Sequence, residues 1–119
     1  MKRLTQLLFF CILSLHLNAQ TYNGIGGNIP DGGPSVAFTI NVSGLSPLIA
    51  DTTFGVESVC LSISHPYVGD LAIRLQAPDG TMVDLSLNNG GSGNNYSNTC
   101  FSNSTNNPIS NGNPPYNGT

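Results

Sequence analysis

Apolar and polar residues alternate with a period of two over several short stretches of this 119-residue chain. Leu71, Ile73, Leu75 and Ala77 share one parity, and Ala72, Arg74 and Gln76 share the other. That spacing predicts a half-buried strand. Val83, Leu85 and Leu87 alternate with Asp84 and Ser86 and predict the next one. Pro78-Asp79-Gly80 between them supplies a tight turn, because proline fixes φ and glycine accepts a positive φ. Upstream, Val59, Leu61, Ile63 and His65 share a parity. Val56 falls on the opposite one, which predicts a bulge or bend near Glu57-Ser58. Val36, Phe38, Ile40 and Val42 predict a first strand over Ser35 to Val42, broken by the segment from Gly44 to Pro47. No stretch after residue 19 has the apolar spacing of a helix. Four strands with turns between them predict an all-β, antiparallel β-sandwich.

The first nineteen residues follow a different pattern. Lys2 and Arg3 precede an apolar run from Leu7 to Leu15, and Leu17-Asn18-Ala19 offers a cut before Gln20. This predicts a secretory signal peptide over 1–19; the alternatives are a short membrane anchor or a buried helix. A glycine-rich lead-in spans 20–34 and the sandwich spans 35–119. Gly24-Ile25-Gly26-Gly27 is not read as a phosphate loop, since no strand precedes it and no Lys follows. The expected location is secreted or extracellular, with the periplasm or cell surface as variants, and without membrane contact after signal removal.

Cleavage changes the charge balance. Of three Lys and Arg only Arg74 would stay, against six acids: Asp31, Asp51, Glu57, Asp70, Asp79 and Asp84. Such a surface cannot neutralise phosphates, which excludes nucleic acid as a partner. With only 8% charged residues, solubility rests on amides and hydroxyls.

The run from Ser62 to Leu87 carries a more specific signal. His65 ends one strand, Gly69-Asp70-Leu71 opens the next, and Pro78-Asp79-Gly80-Thr81 makes the following turn. In that order and spacing these residues resemble the P domain (P/Homo B) of proprotein convertases and bacterial secreted proteins. Asn28-Ile29-Pro30-Asp31 resembles the start of many bacterial members, and the resemblance extends from about Gly27 to Thr119. It implies a jelly-roll-like sandwich in which His65, Gly69, Asp70, Asp79 and Gly80 are structural turn residues. It further implies that the Asn-rich segment from Asn88 to Thr119 is a long surface loop, with Asn98-Thr99-Cys100-Phe101 and Pro108-Ile109 as its landmarks. A Gly-x-Trp-x-Leu strand of the family has no counterpart here, so the sandwich is expected to be incomplete at its C-terminus.

Candidate chemistry is sparse. Cys11 lies in the signal, which leaves Cys60 and Cys100 in a chain read as exported. A disulfide is the simplest reading of that pair, and two free thiols are the alternative. After the signal, His65 is the one candidate base. No Gly-x-Ser-x-Gly elbow marks a nucleophile, so no catalytic residue is assigned. No cofactor is expected, although Asp31, Asp51 or Asp70 with loop carbonyls offers hard oxygen ligands for Ca²⁺. Tyr22, Tyr67, Tyr96 and Tyr116 are scattered rather than gathered as a sugar platform would require. The expected function is a non-catalytic accessory module of a secreted protein. It would stabilise or tether a neighbouring domain, or bind a cell-surface partner. The alternatives are a piece of a secreted subtilisin-like serine endopeptidase and a carbohydrate- or surface-binding sandwich.

Overall fold

The computed structural model describes residues 19–45 and 55–118. The expected signal core, Cys11 and Asp51 lie outside the described residues. The chain divides into two units, with the boundary after Pro47.

In the first unit, the predicted strand over Ser35 to Val42 does not form a ladder. The alternation is real, but among the described residues of this unit no second strand pairs with it. Val36, Phe38, Ile40 and Val42 remain between 42% and 55% exposed. Glycines 24 and 27 let the lead-in pass close beside it. A Cβ on Gly24 would meet Ile40 Cγ1 at 2.8 Å, and one on Gly27 would meet Phe38 Cε1 at 2.9 Å. Tyr22 Oη reaches Ser43 O at 2.6 Å and also contacts Gln20 Oε1.

The second unit is all-β. Its strands are β1 (Ser58–Ile63), β2 (Ala72–Gln76), β3 (Met82–Leu87), β4 (Tyr96–Ser102) and β5 (Tyr116–Gly118). One sheet has the order β1-β4-β5 and the other pairs β2 with β3. The antiparallel expectation holds for β1–β4 and β2–β3, whereas β4 and β5 run parallel. Two 3-10 turns, Val68–Asp70 and Ile109–Asn111, provide the other regular structure among the described residues.

Inward and outward residues of β1 and β2 follow the sequence pattern. Val59, Leu61, Ile63, Ile73 and Leu75 are half-buried, and their neighbours are exposed. Strand β3 departs from it. Ile73 faces Ser86 and Arg74 faces Asp84, so Leu85 is an extra residue in the ladder. A bulge of this kind reverses the parity beyond it. Ser86 is therefore buried and Leu87 is 40% exposed, contrary to the expectation that Leu87 shares a face with Val83 and Leu85.

The other predicted irregularity is displaced. The β1 ladder begins at Ser58, and its register shift lies between Leu61 and Ile63 rather than near Glu57. The extra residue is on the partner strand. Between Tyr96 and Thr99, β4 has two residues, Ser97 and Asn98, where β1 has Ser62 alone. Asn98 takes a left-handed φ of 48°, a conformation that Asn tolerates. Its N–H donates to Ser62 Oγ at 2.9 Å. The same residue is skipped in the β4–β5 ladder, so a single bulge shapes both edges of β4.

Candidate functional site

The best-packed part of the second unit lies around the turn after β1. Val68, Leu71, Tyr96 and Tyr116 are its buried apolar side chains, with Ser86 and Thr99 as buried polar ones. The turn and the Asn88–Asn95 segment clasp one another through the main chain. Val68 N donates to Gly93 O (2.9 Å), Gly69 N to Gly91 O (2.9 Å), and Asn95 N to His65 O (3.1 Å). In return, Asn95 Oδ1 accepts from His65 N at 3.0 Å, and Asn88 Nδ2 donates to Gly69 O at 2.9 Å. The Asn-rich segment is thus not a surface loop throughout. It contributes β4, β5 and half of this clasp.

Of the predicted turn residues, His65 and Gly69 bond to that segment. His65 Nδ1 accepts the Tyr67 N–H at 3.1 Å, which fixes that nitrogen as an acceptor. Gly69 is required by close approach, since a Cβ there would lie 2.7 Å from Gly91 O and 2.9 Å from Gly91 Cα. Asp70 is exposed, and its N–H donates to Tyr67 O at 3.1 Å. Asp79 and Gly80 form a separate turn between β2 and β3. Gly80 has φ 91°, and its N–H donates to Ala77 O. Asp79 Oδ1 accepts the Thr81 N–H at 2.9 Å. Hydrogen bonds from Thr81 to the carboxylate hold the acid below its ordinary titration range.

Three buried side chains of this part escape the sequence pattern. The rings of Tyr96 and Tyr116 stack with centroids 4.9 Å apart. Tyr96 Oη shares a 3.0 Å hydrogen bond with Ser86 Oγ, which also accepts from Asn89 Nδ2 at 3.0 Å. Desolvation, followed by the proximity of Tyr96, raises the Tyr116 phenol above its ordinary range. Two of the four tyrosines considered as a sugar platform are therefore spent on the interior, while Tyr67 is 54% exposed. No sequence period marks Tyr96 or Tyr116. The one usable signal is their aromatic character within an otherwise polar run.

Cys60 and Cys100 face each other across β1 and β4 and form a disulfide, with Cα atoms 4.0 Å apart. Both lie on the parity opposite to Val59, Leu61 and Thr99; Cys60 is exposed and Cys100 half-buried. On the inner side the sheets enclose an open cleft of about 650 Å³, lined by Val59, Leu75, Leu85, Phe101 and Ile109 among others. Arg74 Nε pairs with Asp84 Oδ1 at 2.7 Å on the exposed face of β2–β3. Among the described residues, no three His, Cys, Asp or Glu side chains gather as a metal-ligand set. Nor is any helix there long and apolar enough to cross a membrane.

Comparison with known proteins gives this geometry a context. Over 69 residues, 57% of its length, the chain is 41% identical to Leupeptin-inactivating enzyme 1 of Streptomyces exfoliatus. It spans 15% of that protein's length. No solved structure matches the chain. Residues 56–113, which contain the clasp, the disulfide and strands β1 to β4, match the proprotein convertase P-domain. Over those residues the chain carries a domain of the proprotein convertase P-domain type.

Proposed function

We propose that this chain is a non-catalytic accessory module of a secreted protein, which stabilises or tethers a neighbouring domain. The observation that carries the reading is the P-domain match over 56–113, in a chain whose similarity covers a small share of a much longer relative. The clasp supports it. Its turn is held to the Asn88–Asn95 segment by main-chain bonds that fix the module's own shape, as a structural part requires. The second reading, a piece of a secreted subtilisin-like serine endopeptidase, is favoured by the proprotein convertase family itself. A carbohydrate-binding role has less support, because Tyr96 and Tyr116 are buried.

The test uses the full-length protein that carries this module. Deleting residues 56–113 should lower the melting temperature of the neighbouring domain by several degrees, the shift that about 1–2 kcal/mol produces in a domain of ordinary size. An unchanged melt of the neighbour, with unchanged association, would sink the proposal. Loss of peptide cleavage in the same deletion would favour the endopeptidase reading. Export is tested separately. The intact mass of the secreted product should correspond to a chain beginning near Gln20, and retention of Met1 would overturn the signal-peptide assignment.

A further inference from the structure

We draw no further inference here: the strongest candidate, the open apolar cleft between the two sheets of the second unit, lined by Val59, Leu75, Leu85, Phe101 and Ile109, carries nothing because nothing in the structure shows what covers it.

Discussion

Ser86 shows how much a single residue depends on its neighbours. Its position in the alternation assigns it to solvent, yet it is 2% exposed and holds both Tyr96 Oη and Asn89 Nδ2. The cause is Leu85, which adds one residue to the ladder. Neither glycine nor proline announces that bulge, so the parity reversal is invisible in the pattern. Ser86→Ala should destabilise the fold by about 1–3 kcal/mol, since it leaves the buried Tyr96 Oη unmatched, and Tyr96→Phe should cost less, because Ser86 Oγ keeps its bond from Asn89 Nδ2. Denaturant melts of the single and double mutants check this. A double mutant that equals the sum of the singles would mean that the bond does not couple them. Asp79 offers a case the sequence did reveal, because Pro-Asp-Gly-Thr carries its own turn geometry. The Thr81 N–H favours the charged carboxylate, so the folded group titrates below its ordinary range. Its stabilising contribution is present above the unfolded value and is lost as pH falls through the lower folded one. Carboxyl NMR titration should place the Asp79 midpoint below that of an unstructured Asp, and a midpoint at or above it would remove the turn bond from the account.

At the scale of elements, alternation located β1 and β2 to within a few residues because each has one half-buried face, and it located β3 although burial there does not alternate. It failed at both ends of the chain for different reasons. Over Ser35 to Val42 the pattern is clear, but a strand also needs a partner, and among the described residues of its own unit none is paired with it. Over Asn88 to Thr119 the strands exist without a pattern. Strand β4 is Tyr-Ser-Asn-Thr-Cys-Phe-Ser, and its buried residues, Tyr96 and Thr99, are three apart because Asn98 bulges. Pairing with β1 and β5 supplies what apolar content does not. The disulfide ties that polar strand to β1. Closing a separation of 40 residues should stabilise the oxidised fold by roughly 3–4 kcal/mol in the chain-entropy model. Replacing Cys60 and Cys100 together by Ser should lower stability by that order. Chemical denaturation of the oxidised and Cys-free proteins measures it, and equal midpoints with equal slopes would refute the contribution.

At the scale of the whole molecule, the P-domain resemblance of residues 56–113 was legible because the residues that carry it cluster in local turns, where spacing survives translation into structure. His65 and Gly69 bond to the Asn88–Asn95 segment, Asp70 closes its own turn on Tyr67, and Asp79 and Gly80 lie at the β2–β3 turn. The opposing half of the clasp was not legible, because Gly91, Gly93 and Asn95 act mainly through main-chain atoms that any residue possesses. The cross-strand disulfide has a mechanical consequence for a module placed between other parts of a long chain. A pulling force entering at Val56 and leaving beyond Tyr116 would pass from β1 to β4 through the sulfur bridge rather than along the intervening backbone. The 40-residue separation corresponds to roughly 130–145 Å of contour length at full extension. That length is slack the oxidised module cannot release under load, and reduction would free it as a discrete lengthening of the chain.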